Sequence, residues 1–486
     1  MKSLLRPGAL ALSLPALLLT GCLTLGPDYE RPELPVPDTY SAPPASSAAE
    51  ASIAPDWWTE FGDPALDALV AEALSANQDL VAAVARVDEA RAIAGLTDAD
   101  RLPAITGGAS GSRDRFSEQT SQFPPGVPLE RDTYRASASL SFELDFWGRL
   151  ARLSEAARAE LLASEEGRRN VELAVAAETV TAYFDLLALD RQLAVADATL
   201  ASRQEAVRLQ RLRFDAGTIS ELDLAQAEAE LAATESAVPL RQRALRRTED
   251  RLTVLLGRIG GTIPRPSGIG PDGTGIEVSQ VRIPDVPVGL PSDLLVRRPD
   301  LVAAEQRLIA ANARIGAARA AYFPSISLTG YAGSESDELS GLFKSGTSIW
   351  GLAASVLQPI FQGGKVRRGV EIAEARQRQA LASYTLTVQT AFAEVEDALV
   401  DRRTSIAERE ALGRQVEALN RAQHLARLRY DAGDSSYIDV LDAERNLFSA
   451  QLAWITARRA EFAAAVQLFK ALGGGWATEP EAAPPA

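Results

Sequence analysis

Arg429-Tyr430-Asp431-Ala432-Gly433-Asp434-Ser435-Ser436-Tyr437-Ile438-Asp439-Val440-Leu441-Asp442-Ala443-Glu444 reads as a tight turn between two very long helices. Gly433 supplies the left-handed backbone that ends the first helix. Ser435 or Ser436 can then cap the second. The chain contains this stretch twice. Arg213-Phe214-Asp215-Ala216-Gly217-Thr218-Ile219-Ser220-Glu221-Leu222-Asp223-Leu224-Ala225-Gln226-Ala227-Glu228 lies 216 positions earlier, with Arg, Asp, Ala, Gly, Ser, Asp, Ala and Glu in register.

No proline occurs from Arg149 to Phe214, nor from Lys365 to Leu472. At 1.5 Å per residue, about 65 residues span on the order of 100 Å. A hairpin of that length is a coiled coil, a spacer or the wall of a tube. In residues 171–189, Val171, Leu173, Val175, Val180, Tyr183, Phe184 and Leu187 spread over more than one narrow seam, and alanine fills many gaps. That pattern favours a wall with neighbours on both sides, against the simpler antiparallel coiled coil. Charged stretches such as 402–414 stay on the wet face.

A second repeat signal precedes each hairpin. Asp79-Leu80-Val81-Ala82-Ala83 matches Asp300-Leu301-Val302-Ala303-Ala304, and Pro103 matches Pro324. Each half thus starts with a helix that breaks at a proline. Two strand-like runs follow: 104–112 with 134–146, and 325–333 with 349–358, joined by polar loops at 113–133 and 334–347. In the clearest run, Tyr134, Ala136, Ala138, Leu140, Phe142, Leu144 and Phe146 share one face; Arg135, Ser137, Ser139, Ser141, Glu143 and Asp145 share the other. This strict alternation suits a membrane barrel strand; read alone, it suits a half-buried sheet equally well.

The expected organisation is a signal peptide over 1–21, an extended segment over 22–56, a first structural repeat over 57–256 with its tip near 217, an irregular Gly/Pro-rich connector over 257–292, a second repeat over 293–476 with its tip near 433, and a disordered tail over 477–486. Lys2 and Arg6 precede the apolar run of the signal peptide. That run ends in Leu19-Thr20-Gly21-Cys22, which resembles a bacterial lipobox, with the sole cysteine where the motif demands it. Cys22 is the expected lipidation site; the alternative is a cleaved signal with an incidental cysteine. Several acyl chains anchor firmly, at about 0.8 kcal/mol per buried methylene.

Composition narrows the function. The 486 residues carry a net charge of −15, one Cys, one His and one Met, the initiator. The acidic balance disfavours nucleic acid. Cys/His metal sites and internal disulfides have no residues to build them, and no cofactor is expected beyond the covalent lipid on Cys22. Neither a Gly-rich phosphate loop nor a G-x-S-x-G elbow occurs, and His424 reads as a solvated helix residue, so an enzyme is not expected.

Two halves give four strands. Four strands cannot close, only closed barrels cross a membrane, and bacterial barrels use about eight strands or more. Strands in lipid would therefore need several chains in one barrel, whose hairpins would gather into a second tube of helices. At this point the residues carry a resemblance. The runs Gly26-Pro27-Asp28-Tyr29 after Cys22, Trp57-Trp58 with Phe61, Leu290-Pro291-Ser292-Asp293-Leu294-Leu295, Arg297-Arg298-Pro299-Asp300, Gln358-Pro359-Ile360-Phe361 and Leu468-Phe469-Lys470-Ala471-Leu472 resemble the outer-membrane efflux protein family, TolC-like, and its lipoprotein branch serving resistance-nodulation-division pumps. The resemblance covers nearly all of the mature chain.

The resemblance implies a membrane α+β fold: a trimeric outer-membrane β-barrel, four strands per chain and twelve in all, continuing into a long periplasmic α-helical barrel, with an internal two-fold repeat. It implies a homotrimer in the outer membrane of a Gram-negative bacterium, working with a periplasmic membrane-fusion adaptor and an inner-membrane pump as the exit duct for small molecules. A protein-secretion duct of the same fold and a non-channel coiled-coil lipoprotein are the alternatives. It implies a gate or selectivity ring at Tyr430, Asp439 and Asp442, with Asp223 the repeat equivalent of Asp439; for the carboxylates, plain helix N-terminal charge is the competing reading. Three chains would crowd these carboxylates and raise some pKa values. Ala216, Gly217, Ala432 and Gly433 are the expected adaptor-docking surface. Some family members latch with an Arg two residues after the turn glycine; here that residue is Ser435, leaving Arg429 or Arg445 as substitutes.

Overall fold

A computed structural model describes residues 24–41, 53–117, 119, 129–263, 281–289 and 291–475. Cys22, the signal peptide and the tail lie outside the described residues. In order, the elements are α1 (Pro64–Ala76), α2 (Gln78–Ala99), β1 (Ala104–Arg115), β2 (Glu130–Leu144), α3 (Arg149–Asp215), α4 (Glu221–Leu255), α5 (Leu294–Arg297), α6 (Pro299–Ala320), β3 (Ser325–Ser336), β4 (Ser348–Leu357), α7 (Lys365–Asp431) and α8 (Tyr437–Ala471). The order helix, two strands, long helix, shorter helix thus occurs twice. α3 and α7 have 67 residues each, and α4 and α8 have 35 each.

The strands end differently from the sequence expectation. β1 and β3 run three residues further, to Arg115 and Ser336, because cross-strand partners continue out to Arg115↔Glu130 and Tyr134↔Ser336. β2 begins at Glu130 and stops at Leu144, before Phe146. Phe146 turns back to bond the Leu144 carbonyl, and Asp145 accepts the Ala151 N–H at 2.8 Å, so this carboxylate belongs to the start of α3. Gly148, with φ 70°, makes the corner.

The contacts divide the chain into two compact units. The first holds the sheet, residues 24–33, and the adjoining ends of α2, α3, α6 and α7. The sheet is antiparallel in the order β1-β2-β3-β4. Its register stacks Ile105, Leu140, Gly330 and Leu352 across one face, with Phe142 beside Leu328 and Ala332 beside Trp350. The other face is Ser/Thr-rich. Side chains alternate at period two, so this register makes the sheet two-faced throughout. Trp350 and Leu352 are 75% and 81% exposed. Below the sheet, α3 and α6 meet through Ala156, Ala159, Ala310 and Ala313. Side chains this small let helices approach closely.

Residues 24–33 form a strap on this unit. Arg31 makes two 2.6 Å bonds to Glu305, Tyr29 donates to the same carboxylate at 3.0 Å, and Asn312 donates to the Pro27 carbonyl at 2.9 Å. Arg152, buried, pairs with Asp28 at 2.7 Å. Gly26 lies so close to Gly316 that a Cβ on it would sit 2.5 Å from the Gly316 Cα.

The second unit holds α1, α4, α8 and the remaining parts of α2, α3, α6 and α7. Its core is aromatic. Trp57 stacks on Phe469 at 4.9 Å, and Phe184 on Phe462 at 4.1 Å. Tyr183, fully buried, donates to Asp63 at 2.6 Å, while Asp63 caps α1 through the Ala65 N–H. In the described parts of the connector, residues 257–263 and 281–289 carry neither helix nor strand.

Candidate functional site

The two turns are built alike. α3 ends at Asp215. Gly217, at φ 69°, donates to the Phe214 carbonyl, and Thr218 donates to the Arg213 carbonyl. α7 ends at Asp431. Gly433, at φ 81°, donates to Tyr430, and Asp434 to Arg429. This pair of bonds satisfies carbonyls that a helix end leaves unpaired. The positive φ requires glycine; space does not, since a Cβ on either residue would meet nothing within 4 Å. Ala216, Gly217, Ala432 and Gly433 are all exposed.

The descending helices begin on serine caps. Ser220 accepts the Asp223 N–H at 3.3 Å, and its own N–H reaches the Asp223 carboxylate at 3.1 Å. Ser436, rather than Ser435, caps α8: its N–H and hydroxyl donate to Asp439 at 3.2 and 3.3 Å. Asp223 and Asp439 therefore hold equivalent positions, each turned back onto its own cap, as helix N-terminal charge would be. Asp442, one turn on, accepts from Asn446 at 3.0 Å and from Arg445. Arg445 also lies 3.9 Å from Glu230 on α4. Arg429 bonds the Asp434 carbonyl of its own turn. The Ser435 hydroxyl is buried with no hydrogen-bond partner among the described residues.

Tyr430 joins the two hairpins. Its hydroxyl accepts from Gln210 at 3.1 Å and from Arg213, whose guanidinium also lies 5.3 Å from its ring centroid. Its ring tilts against Tyr437 at 5.2 Å. Beneath, Tyr437, Val440, Leu441 and Ala227 form a buried cluster. The fold thus brings Tyr430 to α3 and leaves the three aspartates on local partners within the chain. Sequence reading did not find Gln210 and Arg213. Arg213 is in register with Arg429, yet one crosses to Tyr430 and the other closes its own turn.

A buried charged layer lies further along. Arg203, 4% exposed, donates to the Glu230 carbonyl at 2.7 Å and pairs with its carboxylate at 3.0 Å. Burial pushes the Glu444 carboxyl up, with Arg427 and Arg203 opposing. Burial also pushes up the Tyr437 phenol, with Glu444 adding to it. Among the described residues, no group of three or more His, Cys, Asp and Glu could hold a metal ion. His424 is exposed.

A two-faced antiparallel sheet in the same chain as helical hairpins of this length is a combination found in outer-membrane efflux channels. The family model for "Outer membrane efflux protein" matches residues 69–258 and 290–474. The chain is 38% identical over 467 residues to the cation efflux system protein CusC of Escherichia coli O6:H1, covering 95% of this chain and 97% of that one. It is 35% identical over 469 residues to the probable outer membrane lipoprotein SilC of Salmonella typhimurium, covering 94% and 97%. The crystal structure of the Campylobacter jejuni CmeC outer membrane channel superposes with a TM-score of 0.87 at 27% identity, covering 93% of this chain and 95% of that one. The chain belongs to the outer membrane efflux protein family and is an outer-membrane efflux channel protein of a Gram-negative bacterium.

Proposed function

We propose that three copies of this chain form one exit duct: a twelve-stranded barrel in the outer membrane continuing into a helical tube, anchored by lipid on Cys22. The observation that carries this reading is the sheet. Among the described residues its outer strands β1 and β4 have no partner at their outer edges. Trp350, Leu352 and Val356 are exposed on one face. Bare strand edges cannot rest in hydrocarbon, so the edges of one copy pair with those of its neighbours. The apolar face then meets lipid, and the Ser/Thr face lines water.

The hairpin turns form the far end of the duct. Ala216, Gly217, Ala432 and Gly433 offer the docking surface for a periplasmic adaptor, which connects the duct to an inner-membrane pump. Tyr430, Asp439, Asp442 and Asp223 surround the constriction, where carboxylates favour cations. Arg445, close to Asp442 and to Glu230, is the cation that holds the closed state in place of an Arg at Ser435.

The test is single-channel conductance of the purified protein in a planar bilayer, beside Asp439→Asn/Asp442→Asn. The wild type gives a small, cation-selective conductance; the variant conducts more or loses selectivity. A well-folded protein that conducts neither as wild type nor as the variant with its tip charges removed would sink the duct. Unchanged conductance in the variant would move the gate elsewhere. Gly433→Trp abolishes efflux by cells while oligomer and conductance persist, and Gly433→Ala separates backbone strain from bulk. Normal efflux in the Trp variant would refute tip docking.

A further inference from the structure

Between the starts of α3 and α7 and the C-terminal half of α6 lies a groove of about 350 Å³, wholly within the sheet-bearing unit. Its lining contains Arg149, Arg314 and Arg376; every other lining residue is Ala, Gly, Leu or Ile, and no carboxylate lines it. Small side chains, Ala318 and Gly369 among them, make the concavity. The volume falls within the ~300–1,000 Å³ of small-molecule sites, which join an apolar floor to a few polar groups.

The charges are not all committed. Arg149 is held from outside the lining by Glu143, at 3.0 and 2.8 Å, and Arg314 by Glu160 at 3.1 Å. Arg376 is exposed and has no hydrogen-bond or ion-pair partner among the described residues. Such a cavity, cationic and apolar in a chain of net charge −15, complements an organic anion with a hydrophobic body.

Position on α6 supplies the second argument. The strap covers the face carrying Glu305, Asn312 and Gly316. At about 100° per residue, Arg314 lies roughly half a turn round the helix from Glu305. With Cys22 lipidated as proposed, two residues before the strap, the strap's face is the outer one and the groove opens inward.

We propose that this groove is a site in the duct wall for amphipathic organic anions about the size of a two-ring aromatic sulfonate or carboxylate. Its inward direction rests on the duct reading; its ligand chemistry does not. The anion's charged group meets Arg376 and its rings lie over Gly369, Ala318 and Ile372. Exported molecules of this class pause here, and an acidic tip does not exclude them.

The test uses naphthalene-2-sulfonate with the full-length protein in detergent, by equilibrium dialysis, and a naphthyl trimethylammonium cation as the control. The wild type binds the anion in preference to the cation. Arg376→Glu weakens binding roughly tenfold or more, about 1.4 kcal/mol. Gly369→Phe fills the groove with the same loss; a Cβ there meets nothing within 4 Å, and an unchanged circular-dichroism spectrum and melting temperature check that the fold is kept. Anion binding that is absent, or equal in wild type and both variants, overturns the proposal. The same probe is then added during conductance recordings. Block by the anion, lost in both variants, places the groove in the lumen. Variant-sensitive binding without block of a conducting channel overturns the inward direction. Absence of any conductance sinks the duct reading, while the dialysis still decides whether the groove takes anions.

Discussion

Single side chains at the tip set its mechanics. Tyr430 links α7 to α3 through its hydroxyl, while its ring rests on Tyr437. Tyr430→Phe removes the hydroxyl and keeps the ring, so it costs roughly 1 kcal/mol locally. Hydrogen exchange of the amides at 425–432 should speed up while the second unit's aromatic core stays protected; unchanged exchange would mean the hydroxyl holds nothing. Glu444 behaves differently. Burial raises its folded-state pKa above the unfolded value. The folded state then binds the proton more tightly, so stability from this group is fully present below the unfolded pKa and is lost as pH rises through the folded one. Glu444→Gln should therefore raise the melting temperature at neutral pH relative to wild type, with the difference shrinking toward pH about 4.3. A constant difference across that range would show that the carboxyl is not the cause.

At the scale of elements, the strap shows how backbone proximity fixes an interaction. Gly26 has φ 105°, and a Cβ on Gly316 would come 2.3 Å from the Leu25 carbonyl oxygen. Neither residue can grow without moving the strap. Gly316→Ala should push residues 24–28 off α6 and loosen the Arg31–Glu305 bonds, so that a glutamate-specific protease cleaves faster at Glu33, which is already exposed and is held only by the strap's contacts. Cleavage no faster than wild type would show that the ionic contacts suffice alone. The hairpins are set more locally. Their turns need a glycine at positive φ and a serine three residues on, and both copies meet that need without help from the rest of the chain.

The whole molecule is governed by its incomplete sheet. Among the described residues of one chain the outer edges of β1 and β4 have no partner strand. Cysteines at Gly108, in mid-β1, and Ala353, in mid-β4, should oxidise between copies into a covalent trimer on a denaturing gel; both positions are exposed within one chain. Cys22 is the only native cysteine, so background pairing is small. Monomers alone, across neighbouring positions on both strands, would argue against edge pairing.

Local rules made much of this legible in sequence. The missing prolines, the Gly-Ser turns and the period-two run at 134–144 each obey constraints acting over a few residues, so the hairpins, their tips and the two-faced strand could be read directly. The repeat and the lipobox were equally plain as patterns. The sequence could not reveal what lies next to what. That Arg213 and Gln210 reach Tyr430, and that Arg149, Arg314 and Arg376 border one groove, depend on packing between segments far apart in the chain. The strand ends depart from the alternation for the same reason: pairing with a partner strand and the demand of a helix start, at Asp145, decide where a strand stops, and neither is visible in the alternation of its own residues.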